Sequence, residues 1–176
     1  MFGLIKDLTH KNLIEQLRKL DAAVSRATAN DPQGCGSNSN VKLFNALAKL
    51  IFETIPADPN HDSYRQGNTF GPAFRHWRRA KIGRRFRLFF RFDARSKIII
   101  FAWVNDAQTL RASGSRIDPY SVFQKMLAAG HPPDNWAALL AAGKAEWKPE
   151  KRNLARRGCK PVTEESRIGE MIMGCK

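Results

Sequence analysis

The chain of 176 residues has the size of one ordinary domain, and its hydrophobic content of 43% excludes a wholly disordered protein. Thirty Lys and Arg side chains face sixteen Asp and Glu, and the formal net charge of +14 predicts a polyanionic partner such as a nucleic acid. No apolar run is long enough to cross a bilayer, and residues 1–8 carry charges where a signal peptide is apolar. We therefore expect a cytoplasmic protein with no membrane partner.

In the first part of the chain, a short apolar segment is followed by apolar residues at helical spacing. We expect a strand at residues 2–5 and a helix capped by Thr9, because apolar residues recur at helical spacing over residues 13–27. A second apolar stripe over residues 43–55 predicts another helix, which Pro56 ends. Both stripes are typical of helices that pack on a core.

The central part changes from the helical period to the alternation of strands. We expect strands at residues 74–82, 84–92 and 97–104, with turns at Gly83 and at residues 93–96. The last of these strands is nearly all apolar, which is typical of a strand buried on both faces in the middle of a sheet. Helices are expected to cover one of those faces.

The C-terminal part holds two shorter helices and a polar tail. Apolar spacing predicts helices at residues 119–129 and 135–142. After Gly143 the apolar residues become rare while basic residues stay frequent, which predicts disorder. We therefore divide the chain into a folded domain of residues 1–142 and a basic, disordered tail of residues 143–176.

Positive charge is concentrated in one segment of the chain. No acidic residue lies between Asp62 and Asp93, and this window contains nine Lys and Arg side chains. A segment with charge of one sign predicts phosphate binding, and the alternative is a charged face that is merely solvated.

The strand at residues 84–92 has two chemically different faces, because side chains alternate across a strand. The apolar face belongs in the core and holds Phe86, Leu88, Phe90 and Phe92. The other face places guanidinium groups around a phenyl ring and holds Arg85, Arg87, Phe89 and Arg91. Guanidinium binds phosphate through two parallel hydrogen bonds, and an exposed ring stacks on an unpaired base, so this face predicts RNA binding. Arg79 and Lys81 on the preceding strand extend the same charged surface.

A protein that cleaves RNA does not have to supply a nucleophile, because RNA carries its own, the 2′-hydroxyl. Arg and Lys stabilise the charge that develops on the phosphate, and no metal is needed. Proton transfer falls to Lys81, Tyr120 or His131 as alternatives. A packing role for Tyr120 and a turn role for His131, which precedes two prolines, are the competing interpretations. The four His and the Cys residues show no ligand spacing, so we expect no metal and no cofactor.

Two long runs resemble a known family. FRLFFRFDARSKIIIFAWVNDAQTLRASG and the later DPYSVFQKMLAAGHPPDNW are similar to the YhaV toxins of bacterial type II toxin–antitoxin systems, which are relatives of the RelE toxins. The resemblance covers residues 2–142 and is strongest over residues 77–136. It implies a RelE-like α+β fold, in which two N-terminal helices pack on a small antiparallel sheet and further helices follow at the C-terminal end.

The same resemblance implies a function and its partners. It implies a metal-independent endoribonuclease, an mRNA interferase that cleaves mRNA in association with ribosomes and so inhibits translation and growth. It also implies a cognate antitoxin of the PrlF type, which together with the toxin binds operator DNA and represses their operon. The alternatives are a non-catalytic nucleic-acid-binding module that acts with the antitoxin as a repressor, and an inhibitor that docks on ribosomal RNA.

The family motifs and the basic strand face together predict which residues form the site. Predicted catalytic residues are Arg85, Arg87, Asn105, Asp106, Arg111, Tyr120 and His131. Predicted RNA-binding residues are Arg78, Arg79, Lys81, Phe89 and Arg91. Two segments depart from the family pattern, namely the Gly- and Asn-rich linker at residues 31–40 and the tail after Gly143.

Overall fold

A four-stranded mixed sheet forms the centre of the computed structural model, which describes residues 6–67, 69–109 and 116–145. The strands lie in the order β1–β4–β3–β2, and their bounds are Lys6–Thr9 for β1, Arg78–Ile82 for β2, Phe86–Asp93 for β3 and Ile98–Val104 for β4. β2, β3 and β4 pair antiparallel, as predicted, whereas β1 pairs parallel with β4. The predicted all-antiparallel sheet is therefore wrong for β1. Parallel pairing is possible there because a long crossover through the N-terminal helices separates the two strands.

The strand predicted at residues 2–5 lies outside the described residues, and β1 follows directly after that segment. Thr9 is the last residue of β1 and does not cap the next helix. His10 is the cap, because its side chain accepts a hydrogen bond from the Asn12 N–H at 3.4 Å. Helix α1 then spans Lys11–Asn30.

The second predicted helix is continuous along the backbone but changes its geometry. Helix α2 (Ser39–Lys49) begins at the Asn38 cap and passes into a π-helical turn, Leu50–Thr54, and a short helix α3, Ile55–Ala57. Pro56 lies inside α3, so the helical run continues one residue beyond its predicted end, to Ala57. The apolar stripe of α1 and α2 packs on one face of the sheet.

The other face of the sheet is covered as well. Helices α4 (Pro119–Ala128) and α5 (Trp136–Ala145) pack there with the loop that precedes β2. β4 lies between β1 and β3 and is buried on both faces, which confirms the prediction for this strand. Two apolar layers therefore enclose the sheet, one against α1 and α2 and a more aromatic one against α4.

The expected boundary of the folded domain falls inside α5, which continues to Ala145. The rest of the predicted tail lies outside the described residues. Within the part of the chain that the structure describes, no helix combines the length and apolar character of a membrane span.

Candidate nucleic-acid interface

The basic residues of β2 and β3 come together through the register of the two strands. Arg79 lies opposite Phe89, and Lys81 lies opposite Arg87. Directly opposite residues of an antiparallel pair project from the same face, so these four side chains share the face that α4 partly covers. We call Arg79, Lys81, Arg87 and Tyr120 the basic end of this face. The aromatic end is the part formed by Trp77, Phe89, Arg91, Asp134 and Trp136.

Arg79 is held at two points of its guanidinium group. Its Nε–H donates to the Tyr120 hydroxyl at 2.9 Å, and Nη1 donates to the carbonyl oxygen of Ser63 at 2.7 Å. Within the described residues Nη2 makes no hydrogen bond, so the fork keeps donors for an anion. The orientation of this group is thus fixed before any ligand binds.

Tyr120 is placed by the start of α4. The Asp118 side chain caps this helix and accepts from the Tyr120 N–H at 3.0 Å, while Pro119 occupies the first helical position. The ring is buried and packs edge-on against Phe70 and Phe89. The aromatic layer therefore ends at Tyr120, whose hydroxyl lies at the border between the apolar layer and the cations.

Arg87 contributes a guanidinium group that, in the described part of the chain, still has a donor without a hydrogen-bond partner. Only 7% of the residue is exposed, and its Nη1 donates to the carbonyl oxygen of Phe86 at 2.6 Å. The Nε atom is buried and finds no partner among the described residues. A buried charged donor without a partner is costly, so an anion bound at this guanidinium would be stabilised. Lys81, its cross-strand neighbour, is exposed.

Asn105 connects the end of β4 to β3. It is buried; its Oδ1 accepts from the Arg87 N–H at 2.5 Å, and its Nδ2 donates to the carbonyl oxygens of Arg85 at 3.0 Å and Thr109 at 2.8 Å. Because all of these partners are backbone groups, the side chain fixes the position of the strand that carries Arg87. The predicted catalytic role of Asn105 stays a prediction beside this structural role.

Asp106 shapes the following turn. Its exposed carboxylate accepts from the backbone N–H groups of Gln108 at 3.0 Å and Thr109 at 3.1 Å. These turn contacts alone explain why an Asp is found at this position. The predicted catalytic role of Asp106 stays a prediction. Arg111, the next predicted site residue, lies outside the described residues. Arg85 is exposed in the turn that leads into β3.

Phe89 does not form a base-stacking surface. It is fully buried, and its ring lies parallel to that of Phe123 with the centroids 4.4 Å apart. Trp103 stacks on it from β4 at 5.7 Å. The expectation of an exposed ring is wrong, because alternation assigns a residue to a face but does not show that a second layer covers that face.

Arg91 is enclosed at the aromatic end. Its guanidinium carbon lies 5.6 Å from the ring centre of Trp77 and 5.2 Å from that of Trp136, and Nη1 donates to the carbonyl oxygen of Asp134. Burial lowers the pKa of this guanidinium, which nearby Asp134 and Asp93 oppose. The side chain therefore has a packing role that the alternation pattern did not reveal.

Asp134 completes the aromatic end. Its Oδ1 accepts from Trp77 Nε1 and lies equally close, at 2.7 Å, to His76 Nε2. Burial raises the pKa of the Asp134 carboxyl, but the hydrogen bonds from Trp77 and His76 and the charges of His76 and Arg91 outweigh it, so the pKa is lowered overall.

The structure separates two further predicted residues from the basic end. Arg78 lies opposite Phe90, on the other face of the sheet, and its guanidinium donates to Asn60 Oδ1 at 2.7 Å. His131 follows the C-terminal end of α4, whereas Tyr120 lies in its first turn. The ten residues of α4 span about 15 Å, so Tyr120 and His131 do not serve the same phosphate.

Residues that sequence reasoning did not find also contribute to this interface. Ser63 orients Arg79 through its carbonyl oxygen, a backbone contact for which no side-chain signal exists. Trp77 and Asp134 hold Arg91 away from the basic end. In the described part of the chain, no three His, Cys, Asp or Glu side chains lie close enough to share a metal ion.

A basic sheet surface bordered by a guanidinium–phenol pair suits the binding and processing of a nucleic acid, and comparisons with known proteins agree with this class. Residues 8–144 match the family of YhaV toxins, described as toxins with endonuclease activity that belong to toxin–antitoxin systems. The chain is 38% identical over 132 residues to Toxin YhaV of Escherichia coli O6:H1 and to Ribonuclease toxin YhaV of Escherichia coli K12. These alignments cover 74% of this chain and 86% of each relative. No solved structure matches the chain significantly.

The chain therefore belongs to the YhaV toxin family, a family of endonuclease toxins, which confirms the resemblance drawn from its motifs. Membership in a toxin–antitoxin system also implies an antitoxin as a partner.

Proposed function

We propose that this toxin is a metal-independent endoribonuclease that cleaves mRNA, and that the basic end of the sheet binds the scissile phosphate. The observation that carries the proposal is the fixed pair of Arg79 and Tyr120, which places a charged donor and a phenol hydroxyl 2.9 Å apart beside Lys81 and Arg87. The relative from Escherichia coli K12 is named a ribonuclease, which supports RNA as the substrate.

The reaction needs the RNA, these side chains and water. The 2′-oxygen attacks phosphorus and forms a P–O2′ bond, while the P–O5′ bond breaks and leaves a 2′,3′-cyclic phosphate. Arg79, Lys81 and Arg87 stabilise the negative charge that grows on the phosphate oxygens. Tyr120 donates its hydroxyl proton to the leaving 5′-oxygen, and solvent takes the proton of the 2′-hydroxyl. The phenolate formed is stabilised by the Arg79 Nε–H and regains its proton from water.

The products of cleavage test this proposal. Purified protein is incubated with a defined RNA, without ribosomes in the presence and absence of EDTA and with ribosomes in magnesium buffer, and the new ends are analysed. We expect 5′-hydroxyl and 2′,3′-cyclic phosphate ends, at a rate that EDTA does not change. New 5′-phosphate ends, or a loss of activity in EDTA, would contradict the mechanism. Binding of RNA without any cleavage would favour the non-catalytic module.

A RelE-like architecture and action on ribosome-associated mRNA extend the proposal. They are supported by the family motifs and by a sheet that carries two N-terminal helices on one face and C-terminal helices on the other. We expect that induction of the toxin inhibits translation and arrests growth, and that the protein co-sediments with ribosomes. Growth arrest without mRNA cleavage would instead indicate an inhibitor that docks on ribosomal RNA.

A PrlF-type antitoxin and operator DNA are the proposed regulatory partners. The net charge of +14 supports both, because an acidic protein and DNA are each attracted over long range. Co-expression of the antitoxin is expected to restore growth. A gel-shift measurement should show tighter operator binding by the toxin–antitoxin complex than by either protein alone.

A further inference from the structure

A cleft of about 470 Å³ lies along β2, which is one of the two edge strands of the sheet. The π-helical turn after α2 forms one side of the cleft and the loop before β2 forms another. The lining residues that matter here are Leu50, Thr54, Asp62, Ser63, Arg79 and Lys81. Pockets for small organic ligands begin at about 300 Å³, so this cleft has room for a nucleoside.

Two side chains belong both to the cleft and to the basic end. Arg79 lines the cleft, and its Nη1 donates to the carbonyl oxygen of Ser63, another lining residue, while its Nε donates to Tyr120 at the basic end. Lys81 lines the cleft and lies opposite Arg87 in the sheet. A phosphate held by these cations would therefore lie next to the cleft, within reach for an adjoining nucleotide to enter it.

The other groups that line the cleft include an apolar side chain, a hydroxyl group and an ion pair. Leu50 offers an apolar surface, and the Thr54 hydroxyl donates to the carbonyl oxygen of Lys49 at 3.3 Å, which leaves its oxygen able to accept. The Asp62 carboxylate forms an exposed ion pair with Arg65 at 3.1 Å, a contact of small energy that a ligand can replace. Apolar contact and hydrogen-bond acceptors suit the flat face and the N–H groups of a nucleobase.

We propose that this cleft is a nucleobase subsite, which binds the base of a nucleotide next to the scissile phosphate and so contributes to the choice of cleavage site. The cleft combines cations that suit a phosphate with an apolar surface and hydrogen-bond acceptors that suit a base. This inference rests on the proposed ribonuclease function, because the phosphate is the group that brings the base to the cleft.

A variant that fills the cleft tests the subsite. Thr54 is exposed, so Thr54→Trp places a ring in the cleft without disturbing the core, and Asn45→Trp adds the same ring at an exposed position of α2 outside the cleft. Both full-length variants are compared with the parent protein on one RNA and on copies that carry a single abasic nucleotide at each position beside the cut.

A base that loses its apolar contact and one hydrogen bond should bind about tenfold to hundredfold more weakly. We expect a loss of that size in kcat/KM for Thr54→Trp on the intact RNA, and for the parent protein at one abasic position. When Thr54→Trp is assayed on the RNA with that abasic position, the two losses should not add. Asn45→Trp should behave as the parent protein does.

Unchanged rates and cleavage sites for Thr54→Trp, or losses that add fully, would overturn the subsite while leaving the ribonuclease function intact. A Thr54→Trp variant that cleaves normally but escapes the antitoxin would show that the cleft binds a protein segment, which also overturns it. If the parent protein cleaves no RNA, the proposed function itself fails.

Discussion

The two ends of the same sheet face use arginine in different ways. At the aromatic end, Arg91 lies between the rings of Trp77 and Trp136 and donates to a backbone carbonyl. At the basic end, Arg79 also donates to a backbone carbonyl, but its other bonded partner is the Tyr120 hydroxyl, and among the described residues no pair of rings encloses it. Where the aromatic layer continues, a strand arginine becomes part of the packing. Where that layer ends, the same residue type keeps its donors for a phosphate.

The largest expected effect concerns Phe89, a residue of the aromatic end whose ring has a packing role. Phe89→Ala should lower the free energy of unfolding by about 3–5 kcal/mol, because it leaves a cavity in a fully buried cluster of rings. Urea unfolding followed by circular dichroism measures this. A ring exposed for base stacking would give a change within about 0.5 kcal/mol and a loss of RNA affinity instead.

Tyr120 should matter for catalysis more than for folding. Tyr120→Phe keeps the ring and removes the hydroxyl that Arg79 contacts, so kcat for RNA cleavage should fall about a hundredfold or more. Single-turnover cleavage assays measure the loss. His131→Ala provides the contrast, since His131 lies beyond the far end of α4. If His131→Ala lost as much activity as Tyr120→Phe, the site would have to be placed elsewhere.

Asn105 should contribute stability to the basic end. Asn105→Ala removes the acceptor of the buried Arg87 N–H and should cost about 2 kcal/mol of unfolding free energy. Asp106→Ala is the neighbouring control on the exposed turn and should cost less. Thermal unfolding separates the two variants. A stable Asn105→Ala protein without RNA cleavage would instead support the catalytic role predicted from the motif.

The smallest expected effect is the pH dependence at the aromatic end. The pKa of Asp134 is lowered in the folded protein, so the ionised carboxylate stabilises the fold. This contribution to the free energy of unfolding is fully present above the ordinary carboxyl pKa of about 4 and is lost as pH falls through the lowered value. The contribution should stay below about 1 kcal/mol, because the carboxylate is partly exposed and screened. Asp134→Asn should remove this acid-dependent part of the unfolding free energy. Equal acid dependence in both proteins would exclude the effect.

The sequence was sufficient for the strands and helices whose period is regular. The alternation in β3 placed Phe90 in one core and Arg87 on the opposite face, and the apolar run of β4 indicated burial on both sides. Because β4 is buried on both faces, a second layer must cover the face of the sheet that also carries Phe89. The aromatic residues that form this layer, Phe123 among them, lie far along the chain, so no local pattern could reveal the contact.

Contacts with backbone atoms were equally invisible in the sequence. The carbonyl of Ser63 orients Arg79 and that of Asp134 holds Arg91, but any residue type supplies a carbonyl. The parallel pairing of β1 was missed for a similar reason, since a short strand far from β4 carries no sign of its direction. Tyr120 was found from its motif, whereas its contact with Arg79 required the structure.

The most direct test of the difference between the two ends is a paired measurement on Lys81→Ala and Arg91→Ala. Each variant is assayed for kcat/KM of RNA cleavage and for free energy of unfolding under the same conditions. Lys81→Ala should lower kcat/KM about a hundredfold and change stability by less than about 0.5 kcal/mol. Arg91→Ala should cost about 2 kcal/mol of stability, because it loses its cation–π and hydrogen-bond contacts, and should retain most activity when folded. A Lys81→Ala protein that cleaves RNA at the parent rate would contradict the assignment of the basic end as the site of cleavage.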